Sequence, residues 1–163
     1  MKLKDCHNFE DFRKLAKKKL PSPIFHYIDG GADDEVTLNR NTSSFNDYDL
    51  VPSVLNDVSN VDMSTTVLGE KIDFPLFPAA TAMHRLYHHE GERASAKAVE
   101  KMGTIFGTST MGTVSIEEIA KVNKGPKLFQ LYIHKDRGLT DNLLERCKKS
   151  GFSSMCLTVD TVV

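Results

Sequence analysis

The sequence has no surplus of charge, no cysteine framework and no long apolar run, and each absence closes off a class of function. Its net formal charge is −1 and its pI is near 6.6, so nothing points to nucleic acid or to an anionic membrane surface as a partner. The three cysteines, Cys6, Cys147 and Cys156, are odd in number, far apart and without C-x-x-C spacing. That predicts free thiols in a reducing compartment. No stretch reaches the roughly 18 apolar residues that would span a bilayer, and the opening MKLKDCHNFEDF lacks the apolar run of a signal peptide. A cytoplasmic protein is the expectation, with peripheral attachment at the inner face of a membrane left open. There is no G-x-G-x-x-G after a strand and no Walker A loop. The six histidines, His88-His89 among them, have no Cys or acidic partner at metal-ligand spacing, which argues against a metal site.

What is present is ordinary globular composition, with 163 residues, 40% of them hydrophobic and 26% charged, enough for one domain with one sizeable core. The first third predicts helices. Asn8 can cap a helix carrying Phe9, Phe12, Leu15 and Ala16 at i, i+3, i+4 spacing, and Pro21 ends it. Lys17-Lys18-Lys19 reads as its solvated face. Ser22-Pro23 opens a second helix, Ile24 to Ile28, which Gly30-Gly31 terminates. A third is expected from about Asp34 to Phe45, and then a hairpin over 65–74 with Gly69-Glu70-Lys71 at its turn.

From Pro75 onward strands and helices alternate. The expected strands are 76–80, 104–107, 127–133 and 155–159, and the expected helices are 91–102, 115–122 and 139–149, with Ser115 and Glu118 forming a capping box. That order is βαβαβαβ and implies a parallel sheet flanked by helices. In KLFQLYI, Phe129, Leu131 and Ile133 share one face, and Leu128, Gln130 and Tyr132 the other. In MCLTVDT, Cys156, Thr158 and Asp160 lie opposite Met155, Leu157 and Val159. One side is apolar throughout, while the other turns polar only at the C-terminal end. This suits a strand of a (β/α)8 TIM barrel, although a doubly wound sheet also gathers ligand groups at strand C-termini. Four such units fit in 75–163, whereas a barrel has eight, so half a barrel with two open sheet edges is the expectation.

The strand ends supply Thr81, Ser109 and Thr110, Gln130 and Tyr132, then Thr158 and Asp160. Neutral donors and acceptors, one phenol and one carboxylate suit a flat, polar, uncharged heterocycle held by its edge, with substrate chemistry on its exposed face.

The stretches FHYIDGGADDEVTLNRN (25–41), TAM (81–83), GERASAKAVEKMGT (91–104), ST (109–110), FQLYIHKDR (129–137) and LTVDT (157–161) resemble the FMN-dependent 2-hydroxy-acid oxidases and dehydrogenases, the family of glycolate oxidase, lactate oxidase and the flavin L-lactate dehydrogenases. The resemblance runs through the whole chain in family order and stops near the middle of the family's length. It implies a single domain over 1–163 (a helical segment with a hairpin over 1–74, then the first half of a TIM barrel over 75–163) and FMN at the C-terminal mouth. By the same resemblance, the backbone at Ala80, Thr81 and Ala82 lies against the flavin, and Ser109, Gln130 and Thr158 hydrogen-bond it. Tyr27 holds the substrate carboxylate, Tyr132 contacts the substrate's hydroxyl oxygen, and Asp160 orients a histidine base that, with the substrate-binding arginines, falls in the family's second half. Ala80 stands where the family usually has proline, Leu128 where lactate-type members often have tryptophan, and Met111 where the substrate side-chain pocket is shaped. The implied reaction is oxidation of a small L-2-hydroxy acid, L-lactate first, by a homo-oligomeric parent. The electron acceptor (oxygen, quinone or cytochrome) is unspecified, and residues 1–163 alone are expected to be inactive. Another FMN barrel enzyme and a non-catalytic flavin- or partner-binding half-barrel are the alternatives.

Overall fold

A computed structural model describes residues 2–160 in two compact units, Met1–Ser59 and Asn60–Val163. The last residue of the LTVDT motif, Thr161, lies outside the described residues. In the first unit, α1 (Phe9–Lys19) starts where Asn8 Oδ1 accepts the Asp11 N–H at 2.9 Å, so the expected cap is in place. Leu15 is buried, and Lys17 to Lys19 face solvent. Helix α2 (Ser22–Asp29) has Pro23 in its first turn and buries Phe25. A bidentate Arg13–Asp29 pair, 2.6 and 3.0 Å, ties α1 to α2. Helix α3 (Val36–Ser43) runs into a 3₁₀ turn, Ser44–Asp47, so the third helix is shorter than expected and tightens at its end.

The second unit opens with the hairpin β1 (Thr65–Val67) and β2 (Glu70–Ile72), in which Val67 pairs with Glu70. The turn is therefore Leu68-Gly69, one residue earlier than expected, and both have positive φ, 53° and 81°. Two left-handed residues match the right-handed twist of the flanking strands. Strand β3 (Phe106–Ser109), helix α5 (Ile116–Val122), strand β4 (Lys127–Leu131), helix α6 (Arg137–Lys149) and strand β5 (Ser154–Leu157) follow α4 (Glu92–Lys101), and β3-β4-β5 form one parallel sheet in sequence order. The Ser115–Glu118 capping box forms as expected, and Asp136 accepts from Gly138 and Leu139, starting α6 two residues earlier than the sequence suggests.

The expected first strand, 76–80, is not a strand. Pro75 and Pro78 have no N–H to donate to a ladder, and the segment runs beside β3 through isolated contacts: Thr104 Oγ1 donates to the Leu76 carbonyl at 2.8 Å, and Thr81 bridges Thr108 in parallel sense. The other strands sit close to their predicted places, with β3 two residues further along. Tyr132 and Thr158 consequently stand just past the ends of β4 and β5 rather than within them.

Registers Phe106↔Lys127, Thr108↔Phe129 and Phe129↔Met155 place these residues on the helix side. There Phe106 packs with Ala96, Val99, Val114 and Ile119, while Phe129 and Leu131 pack with Ile116 and Cys147. Each buried Phe, Ile, Leu or Val among them contributes about 1.5–3 kcal/mol. On β5 the matching residues Met155 and Leu157 are exposed, since no helix follows that strand among the described residues. Lys127 is buried, and its Nζ donates to the Asn123 and Gly125 carbonyls at 3.2 and 2.7 Å. Burial lowers its pKa.

Candidate active site at the strand ends

The opposite face of the sheet carries Ser109, Gln130 and, one residue past β5, Thr158. Their side chains form one hydrogen-bonded row across three strands. The Ser109 hydroxyl donates to Gln130 Oε1 at 3.0 Å, and Gln130 Nε2 donates to Thr158 Oγ1 at 2.5 Å. The orientation of the Gln130 amide follows from its other partner, because Oε1 also accepts the Thr110 N–H at 3.2 Å. Ser109 Oγ in turn accepts the Met111 N–H at 3.1 Å. Ser109 and Gln130 are buried, so these bonds fix their rotamers. Inside the row, Gln130 Oε1 and Ser109 Oγ are committed, which leaves the second Nε2 proton of Gln130 and the hydroxyl proton of Thr158 as donors.

The row continues sideways into the segment Ala80–Ala82. The Thr81–Thr108 bridge lays this backbone alongside the end of β3. Gly107 permits the approach: a Cβ built on it would lie 3.1 Å from the Ala80 nitrogen and 3.2 Å from the Pro78 carbonyl oxygen. A backbone wall, a buried hydroxyl, an amide and a second hydroxyl thus stand in the spatial order 80–82, 109, 130, 158. Donors that converge on one edge, beside a wall of small residues, fit the polar edge of a planar flavin.

Tyr132 follows β4, with its N–H held by Thr110 Oγ1 at 3.2 Å and its side chain 37% exposed. Asp160 lies two residues beyond Thr158 and is exposed. A buried inner-face carboxylate would have required a partner; this one faces water, so desolvation places no such demand on it here. Tyr27 belongs to the first unit, on α2, and is 60% exposed.

One buried group escapes sequence reasoning. Glu92, in the first turn of α4, is only 1% exposed. Its Oε1 accepts the Thr113 N–H at 2.7 Å and the His84 N–H at 3.3 Å, and its Oε2 accepts the Thr113 hydroxyl at 2.6 Å. Burial pushes the carboxyl up, but the bonds from Thr113 and His84 outweigh it and hold the group below its ordinary value. A Glu in a first helical turn reads from sequence as a helix-dipole partner; only the His84 and Thr113 turns closing over it reveal more.

A family model described as FMN-dependent dehydrogenase matches residues 16–163. Glycolate oxidase of Spinacia oleracea is 42% identical over 154 residues, covering 94% of this chain and 42% of that protein. An L-lactate dehydrogenase of Vibrio parahaemolyticus is 44% identical over 153 residues, again 94% of this chain and 40% of the relative. Among solved structures, a lactate oxidase from Pediococcus acidilactici superposes with a TM-score of 0.90 at 33% identity, over 98% of this chain and 45% of that one. The flavin-binding domain of baker's yeast flavocytochrome b2 gives the same TM-score and identity, over 99% and 42%. The chain therefore spans less than half the length of these relatives, and its α/β fold corresponds to the first part of their TIM barrel.

Proposed function

Because the chain belongs to the FMN-dependent dehydrogenase family, with FMN as its cofactor, we propose that the whole protein oxidises a small L-2-hydroxy acid, L-lactate first among them, to the 2-oxo acid. The observation that carries this reading is the Ser109–Gln130–Thr158 row beside the Ala80–Ala82 backbone. When bound, FMN supplies the acceptor for the hydride equivalent leaving the substrate's α-carbon.

The residues of this chain hold and orient. Gln130 Nε2 and the Thr158 hydroxyl offer their remaining protons to the flavin edge, and Ser109, locked between Gln130 and Met111, keeps the amide in the orientation that makes this possible. The backbone of Ala80, Thr81 and Ala82 flanks the ring. The Tyr132 hydroxyl contacts the substrate's hydroxyl oxygen, and Tyr27 takes its carboxylate. Asp160 orients a histidine base that the family resemblance assigns to a later segment, and its negative charge raises that base's proton affinity. Three free thiols, Cys6, Cys147 and Cys156, are consistent with a reducing, cytoplasmic setting, and no helix among the described residues is long and apolar enough to cross a membrane.

The test is anaerobic addition of L-lactate, glycolate, (S)-mandelate or D-lactate to the intact protein, following the flavin absorption. Bleaching by one or more of the L-2-hydroxy acids and glycolate, but not by D-lactate, is the expected result. A colourless protein that takes up no added FMN contradicts the proposal.

A further inference from the structure

The mouth is built from two separate turns. One, 81–86, continues the Ala80–Ala82 wall; the other, 110–113, follows Ser109. The sheet ladder fixes their spacing only at one point, because the segment leading into the first is not a regular strand and meets β3 at a single bridge, Thr81–Thr108. Two contacts join the turns directly: the Met83 N–H donates to the Met111 carbonyl at 3.1 Å, and the Arg85 N–H to Thr113 Oγ1 at 3.2 Å. The third tie is Glu92, which reaches up from α4 and receives the His84 N–H from one turn and both the N–H and the hydroxyl of Thr113 from the other. The close approach is built in on the helix side as well. Gly91, the residue capping α4, has φ +57°, and a Cβ there would lie 2.8 Å from Arg85 Cγ and 3.3 Å from Thr113 Oγ1.

A carboxylate is suited to this task. It presents acceptors only, and three donors from two partly buried chain segments converge on it. Charge-assisted bonds of this kind are about twice as strong as neutral ones. A hydrophobic residue of similar size would fill the space and leave His84 N–H and Thr113 N–H without acceptors.

We propose that Glu92 is a positioning residue of the flavin site: its buried carboxylate clasps the 81–86 turn to the 110–113 turn and thereby sets the distance between the Ala80–Ala82 wall and the Ser109 hydroxyl. The inference rests on the flavin reading above for its consequence, and on the geometry alone for the clasp. Glu92→Ala unties both turns. Glu92→Gln keeps Oε1 for both N–H groups and turns an N–H toward Thr113 Oγ1, so it preserves the clasp.

The experiment uses the intact protein and two readouts: amide hydrogen exchange without FMN, and the FMN dissociation constant from flavin fluorescence. Asn123→Ala is the control, since Asn123 is equally buried and its side chain donates to the Ala96 carbonyl of α4 at 2.8 Å rather than to either turn. In Glu92→Ala, exchange at 82–86 and 110–113 is expected to rise at least tenfold and FMN to bind at least tenfold more weakly. In Glu92→Gln, both are expected to stay within about threefold of wild type, the margin of a single neutral hydrogen bond. Asn123→Ala, compared at matched loss of stability, leaves both readouts near wild type. Should Glu92→Ala fail to fold, Thr113→Val removes the hydroxyl's bonds to Glu92 and to the Arg85 N–H together, and loosening of the clasp is then read as raised exchange at His84, whose N–H Glu92 accepts. Unchanged exchange in these turns overturns the proposal, as does equal FMN weakening in Asn123→Ala. If wild type binds no FMN, the flavin reading fails while the exchange readout still decides the clasp.

Discussion

Gly107→Ala adds one methyl group at the point where the Ala80–Ala82 wall meets the sheet. Gly107 does not sit in the left-handed region, so alanine can adopt its backbone conformation. By itself that exchange would stabilise the fold by about 0.4–1 kcal/mol through the unfolded chain. The methyl, however, would meet the Ala80 nitrogen at 3.1 Å, the Pro78 carbonyl oxygen at 3.2 Å and the Ala80 Cα at 3.3 Å. All three are backbone atoms, which cannot swing aside as a side-chain tip can. Overpacking against such neighbours costs about 1–3 kcal/mol. At the middle of these ranges the clash wins by about 1 kcal/mol, and by at most about 2.6 kcal/mol, read as a lower urea midpoint at unchanged slope. The wall must also shift to admit the methyl, so FMN binds more weakly in the same variant. An alanine variant as stable as wild type or more so would refute the reasoning, since the sign depends on the close approach.

Two further outcomes follow from charged and sulfur groups away from the mouth. The Arg146 guanidinium, bidentate to Glu117 at 2.7 and 2.8 Å, holds that carboxyl at about 2, below the ordinary 4.5. Because the folded value is the lower one, the pair's contribution is whole above about pH 4.5 and is lost as pH falls toward 2. Both side chains are more than a third exposed, which limits the effect to about 1 kcal/mol or less. Arg146→Ala is expected to flatten that limb of a stability–pH curve, and an unchanged limb contradicts the assignment. Burial pushes the Cys147 thiol up to about 11, whereas Cys156 is exposed. Iodoacetamide at pH 8 should therefore label Cys147 only after unfolding; equally fast labelling of Cys147 in the folded protein would contradict this packing.

The sequence made the helices legible because their ends carry local chemistry. Asn8, and Ser115 with Glu118, act within three or four residues, and both caps sit where the spacing predicts. The polar strand ends were legible for the same reason that period-2 alternation is, and Ser109, Gln130 and Thr158 do come together. The strand expected over 76–80 was misread because its apolar run outweighed Pro75 and Pro78, whose missing donors matter only once a neighbouring ladder exists. Parity put Asp160 on the face of Thr158, and it is exposed there. Gly107 and Glu92 left no local signal. Their importance lies in contacts to segments 20 or more residues away, at Pro78 to Ala80 for the glycine and at Thr113 for the carboxylate.

In the proposed function the Ser109–Gln130–Thr158 row holds the flavin, and the FMN affinity of Ser109→Ala, Gln130→Leu, Thr158→Val and the triple variant tests this most directly. Gln130→Leu keeps the volume but removes the bridge between both neighbours, so it is expected to weaken binding about tenfold or more, the sum of one direct hydrogen bond and two misaligned hydroxyls. Because the three side chains form one network, the triple variant should bind only slightly more weakly than Gln130→Leu alone. Wild-type affinity in all four variants would contradict the claim.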